Sequence, residues 1–223
     1  MQKFDTPTAP AAVLELPAGR IRLVAADRTD TTVEVLPSDA SKARDVRAAE
    51  QTTVTYGDGV LRITAPAANN QLLGDSGSVE VTVHLPAGSR VEAKTAATEF
   101  HGVGRLGDVA YEAAHGTVEL AETAGARLVL QAGDISVGRL GGSAHIGTRK
   151  GDIRITEAVT GTVTLTTEHG EISVGAAPGV SASLDAGTGH GRIHNALANA
   201  DGGDAGLKIR ATTSYGDITA RSL

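Results

Sequence analysis

The chain has no cysteine and no tryptophan among its 223 residues, and aromatic residues make up only 2% of it. Without cysteine, disulfides and thiolate metal sites are excluded. So few rings weigh against surfaces that stack sugars or single-stranded nucleic acid on aromatic platforms. A net charge of −6 and an isoelectric point near 5.6 leave no basic footprint for nucleic acid or anionic lipid. No apolar run is long enough to span a bilayer. The segment Met1–Pro10 lacks the apolar stretch of a signal peptide after Lys3, so the expected location is cytoplasmic, without membrane insertion.

What the chain has in excess is glycine, 28 residues, nearly twice the usual share. Those glycines recur in a fixed context. Gly116-Thr-Val118-Glu-Leu120, Gly133-Asp-Ile135-Ser-Val137, Gly151-Asp-Ile153-Arg-Ile155, Gly170-Glu-Ile172-Ser-Val174 and Gly216-Asp-Ile218-Thr-Ala220 share one pattern, with a weaker copy at Gly191-Arg-Ile193-His. The intervals are 17, 18, 19, 21 and 25 residues. Fainter copies lie midway, at Gly107, Gly125, Gly142 and Gly161. Such self-similarity is the mark of a stacked solenoid.

Apolar residues two apart share one face of a strand. Ile135 and Val137 therefore point inward together, and Asp134 and Ser136 point out. The preceding glycine supplies the corner. One unit reads as strand, corner, strand, corner, in about 18 residues, each coil resting on the next at about the 4.8 Å strand spacing. The fold expected is all-β, a β-solenoid or β-helix-like stack of two-strand coils over residues 86–223. Ile135, Ile153 and Ile172 should form one inward column.

Residues 1–85 form a less regular β region that caps the stack. Strand-like runs fall at 12–16, 20–25, 31–36, 52–56, 60–64 and 78–85. Gly57-Asp-Gly59 reads as a hairpin turn. One short helix is expected over 38–49, capped by Ser38 or Asp39. Residues 66–77 read as a loop, whose Leu72 and Leu73 are candidate partner-binding residues; a second loop covers 196–205.

The Gly-Asp-Ile corners, the closing Thr213-Ser-Tyr-Gly-Asp-Ile-Thr219 and the opening Leu14-Glu-Leu-Pro-Ala-Gly-Arg-Ile-Arg-Leu23 carry a resemblance. So do Ala26-Asp-Arg-Thr-Asp30, Val33-Glu-Val-Leu-Pro-Ser-Asp39 and Ala48-Ala-Glu-Gln-Thr52. Together they resemble the bacterial "putative adhesin" β-strand-repeat family, a domain of unknown function, and within it actinobacterial members that look cytoplasmic. The resemblance covers most of the chain. It implies a β-helix-like fold and no catalytic residues, since the family pattern defines none.

Three constellations could carry chemistry. Asp134, Asp152 and Glu171 fall on successive coils, and such an acidic ladder could bind calcium; the ordinary role of Asp beside Gly is turn chemistry. His169 and His190, expected in adjacent coils with Glu168 beside them, could ligate zinc; the same corner position carries Ala132, Lys150 and Tyr215 elsewhere, so no ligand type is enforced. No Gly-x-Ser-x-Gly elbow is present, and tight corners build no cleft. The sequence thus reads as a non-catalytic scaffold or protein-interaction module without a cofactor, and not as an enzyme. The alternative is a small-molecule or metal-binding protein, with unusual catalysis at the His169/His190 corner. The Gly216 coil is the expected end of the stack. Its uncovered strand edges suggest a homodimer.

Overall fold

The computed structural model describes residues 1–66, 77–200 and 204–223. Strand accounts for 70% of the chain and helix for 5%, so the protein is all-β and solenoid-like. It divides into two compact units, Met1–Gly116 and Thr117–Leu223. Leu72, Leu73 and Asp201 lie outside the described residues.

The first unit contains β1 (Gln2–Asp5), β2 (Ala11–Ala26), β3 (Asp30–Pro37), α1 (Ala43–Gln51), β4 (Thr53–Gly57), β5 (Val60–Thr64), β6 (Val79–Pro86) and β7 (Arg90–His115). Strand β2 is its centre. It pairs in parallel with β5 and β6, and also with β7. The irregularity read in the sequence is antiparallel additions to this parallel stack: β1 on β3, β3 on β6 and β4 on β5. The β4–β5 turn is the two-residue Asp58-Gly59, with φ of +51° and +74°, the geometry of the favoured hairpin turn.

The helix begins later than its sequence suggests. Asp39 does not cap it, because its carboxylate accepts both the Ser41 N–H (3.0 Å) and the Ser41 hydroxyl (2.6 Å). Lys42 stands at the N-cap without a side-chain bond, and the helix runs over Ala43–Gln51. Its one buried residue is Asp45, whose carboxylate accepts the Ser78 N–H at 3.0 Å and so pins the helix beside β6.

The second unit contains β8 (Val118–Ala132), β9 (Ile135–Leu140), β10 (Ala144–Lys150), β11 (Ile153–Ala158), β12 (Gly161–His169), β13 (Ile172–Ala176), β14 (Ala182–His190), β15 (Ile193–Ala196), β16 (Leu207–Tyr215) and β17 (Ile218–Ser222). Every pairing in it is parallel. Ile135, Ile153 and Ile172 stand in direct register, each about 1% exposed, as the repeat requires. Leu128, Ile146, Leu165 and Ala211 make a second buried column on the other side of the coils. Full burial of each Val, Leu or Ile side chain contributes about 1.5–3 kcal/mol.

The order of coils departs from the order of the chain. The coil β12–β13 pairs with β16–β17, and β16–β17 in turn pairs with β14–β15. The last coil of the sequence is therefore inside the stack, and β14–β15 is its end. This corrects the expectation that the Gly216 coil carries the open edge. Inward side chains give the reason. Ala220, fully buried in β17, is in register with Asn195 of β15. Between β13 and β17, where sequence order would put it, the Asn195 amide would be stranded between Val174 and Ala220. At the end of the stack it is exposed, and its Oδ1 accepts the Leu197 N–H at 3.1 Å.

Candidate functional site

Four corners of the second unit follow one five-residue order, threonine, two outward residues, glycine, then an acid or arginine before the inward isoleucine, and the Gly133 corner has Leu130 in place of the threonine. The glycine is compulsory. At Gly151, φ is +144°, and a Cβ would lie 2.2 Å from the Gly133 carbonyl oxygen of the coil before. The threonine was not singled out from sequence. Its hydroxyl donates to a corner-glycine carbonyl of a neighbouring coil: Thr148 to Gly133 (3.2 Å), Thr167 to Gly151 (3.1 Å), Thr213 to Gly170 (3.1 Å) and Thr188 to Gly216 (3.0 Å). These hydroxyls satisfy carbonyls that the corner turns out of the strand ladder.

The acidic ladder is aligned, and the carboxylates of Asp134 and Asp152 are already engaged. Asp134 Oδ1 accepts the Asp152 N–H at 2.8 Å, and Asp152 Oδ1 accepts the Glu171 N–H at the same distance. Each acid thus serves the next coil rather than its own turn. Asp217 does likewise for Arg192 of the end coil, and accepts its guanidinium at 3.0 Å. The Arg192 N–H, then its guanidinium, hold the Asp217 carboxyl below the ordinary carboxylate range.

The histidine pair is not brought together. Because β16–β17 lies between their coils, Tyr215 stands between His169 and His190. The three rings stack, His169 on Tyr215 at 5.0 Å and 12°, and His190 on Tyr215 at 4.7 Å and 8°. A phenol ring between two imidazoles prevents both from reaching one zinc ion with Glu168. Glu168 instead accepts Arg149 Nε at 3.1 Å. Lys150 precedes His169 in the same row. Lys150, His169, Tyr215 and His190 are all exposed, Tyr215 to 51%. They present imidazole nitrogens, a phenol hydroxyl and an ammonium along one line. Ring pairs of this kind contribute about 0.5–1.5 kcal/mol each beyond area burial.

A second polar surface, in the first unit, was also missed from sequence. Arg20 Nε donates to Glu99 at 2.8 Å and its Nη1 to Glu80 at 3.2 Å, above a recess floored by Ala18, Ala97 and Thr98. The Glu99 hydrogen bond, then the charges of Glu99 and Glu80, stabilise the guanidinium cation further. The register of β2 on β6 and β7 creates this triad, which no local spacing shows.

The family model described as Toastrack DUF4097 matches residues 13–222, and the chain belongs to that family. Solved structures of similar fold include a "putative adhesin" from Parabacteroides distasonis ATCC 8503, 15% identical, with a TM-score of 0.48, over 98% of this chain and 95% of that one. A "putative adhesin" from Parabacteroides merdae ATCC 43184 is 11% identical, with a TM-score of 0.45, over 98% and 94%. A "putative cell adhesion protein" from Clostridium sporogenes ATCC 15579 is 11% identical, with a TM-score of 0.41, over 100% and 99%. No curated protein matches the chain.

Proposed function

We propose that this chain is a non-catalytic protein-interaction module, with the row Lys150, His169, Tyr215 and His190 as its recognition surface. One observation carries the reading. Neither the corner nor the core requires a particular side chain before the corner glycine, yet on three adjacent coils that position holds stacked, exposed rings. Aromatic residues are enriched where proteins bind one another. Here one of only three tyrosines in the chain stands exposed on a parallel stack with every coil hydrogen-bonded to its neighbours. A rigid row loses little side-chain entropy on binding, which favours affinity from a small surface.

The test is quantitative capture from the native host with immobilised chain and with a variant carrying His169→Ser, Tyr215→Ser and His190→Ser. A partner retained by the first and lost by the second, while the variant keeps its β-sheet circular dichroism, supports the reading. Identical capture profiles would overturn it.

A further inference from the structure

We propose that the end coil β14–β15 is a docking edge for the same coil of a second copy of this chain. The proposal names one partner for the interaction module proposed above and rests on that reading. Among the described residues, β14 pairs as a strand with β16 alone and β15 with β17 alone. Their outer edges are therefore free of strand partners. The direction of the backbone groups follows from two hydrogen bonds. Ser181 O accepts the Leu207 N–H of β16, whereas the Ala182 N–H donates away from β16, to Ala198 O. Backbone groups alternate sides along a strand, so those of Leu184 and Ala186 also face the open side.

Beyond Ala182, whose N–H is taken by Ala198 O, the edge of β14 lacks the commonest devices against pairing. Exposed edges are ordinarily blunted by lysine, proline or bulges. The strands Ala182–His190 and Ile193–Ala196 contain no lysine and no proline. The apolar columns also end open here. Ile193 is 46% exposed, although Ile218, its register partner, is fully buried. Leu184, in register with the buried Ile209, is only half-buried.

A second copy fits this end better than an extended peptide does. The coil offers two edges at one level, and a single peptide strand can cover only one. A two-fold axis across the end of the stack sets both edges antiparallel to those of the copy and closes the assembly at a dimer. Charge permits it. The coil's acid and base are Asp185 and Arg192, which balance, so the chain's net charge of −6 is not concentrated where the copies meet.

The experiment is sedimentation velocity of the full chain, purified alone, from about 1 to 100 µM, a range that brackets a micromolar dissociation constant. The mass should rise from 22.6 kDa towards twice that value. Ala186→Pro removes an outward N–H without touching the β16 ladder, and Ile193→Lys adds an edge charge. Each should weaken the dimer by at least about tenfold while far-ultraviolet circular dichroism is retained. A mass fixed at 22.6 kDa, or a dimer that survives both substitutions, would overturn the proposal. Should Ala186→Pro fail to fold, hydrogen exchange of the unmodified chain decides. Amides over 184–188 should exchange more slowly on concentration, and concentration-independent exchange refutes pairing. Both substitutions leave the ring row intact, and the assay contains no other protein. Failure of the dimer and failure of partner capture are therefore separate results.

Discussion

Exchange of the last two coils makes two isoleucines of one column trade roles, and their truncation to alanine measures it. Ile218 is fully buried between Ile172 and Ile193, whereas Ile193 is 46% exposed at the end. Ile218→Ala removes three carbons at about 0.8 kcal/mol each and leaves an enclosed cavity, for a total of about 3–4 kcal/mol. Ile193→Ala removes the same three carbons from a side chain only about half withdrawn from water, and leaves no enclosed cavity. Its cost is about 1 kcal/mol. The difference of about 2–3 kcal/mol corresponds to about 4–12 °C in melting temperature for a chain of this size. The assay is thermal and urea unfolding followed by circular dichroism, at sub-micromolar protein, so that no second copy covers Ile193. A stack built in sequence order would bury Ile193 and expose Ile218. Equal costs, or a larger cost at position 193, would refute the coil order.

Two further outcomes follow from the side-chain chemistry. Asp30 and Asp39 are held down to about 2 from an ordinary 3.8, the first chiefly by Arg28 and then Lys3, the second chiefly by the Ser41 hydroxyl. A carboxylate depressed in the folded state contributes stability above its unfolded value and loses it as pH falls through the folded one. Urea midpoints should therefore decline between about pH 3.8 and 2, and Asp30→Asn with Asp39→Asn should flatten that decline; an unchanged acid limb would contradict it. Calcium and zinc should leave the melting temperature unmoved, because Asp134 and Asp152 of the ladder already accept backbone N–H groups and Tyr215 separates the histidines. Binding at a hundred times the dissociation constant would add about 2.7 kcal/mol, so a zinc shift abolished by His169→Ala would restore the corner site.

The period of the repeat was legible because each coil restates one physical rule: glycine where backbone meets backbone, alternation where a strand has one buried face. Ile153 could be placed between Ile135 and Ile172 from spacing alone. Most strands of the first unit were legible for the same reason, and so was the Asp58-Gly59 hairpin. The start of the helix was not, because Asp39 could serve a cap or a local turn, and the hydroxyl of Ser41 settles that competition. The Arg20–Glu80–Glu99 triad was hidden because its members are 60 and 79 residues apart. Only the register of β2 on its two neighbours brings them together.

Coil order was hidden for a deeper reason. A solenoid whose corners repeat the same glycine chemistry, four of them with the same threonine, is nearly degenerate along its axis, since any coil can hydrogen-bond to any other in register. What breaks the degeneracy is weak in sequence: a polar Asn195 at an inward position and an interval stretched to 25 residues before Gly216. Read together, they place the Asn195 coil at the end, where its amide meets water. The same degeneracy indicates where function can vary. Inward positions must stay apolar, the glycine cannot carry a Cβ, and the acid satisfies the next coil. The position before the glycine is free of all three duties. It changes from Ala132 to Lys150, His169, Tyr215 and His190 along the stack without disturbing it. Moving the Tyr215 coil inward thus sets a phenol ring between two histidines that sequence order would have made neighbours, which links the topology of the stack to the surface it presents.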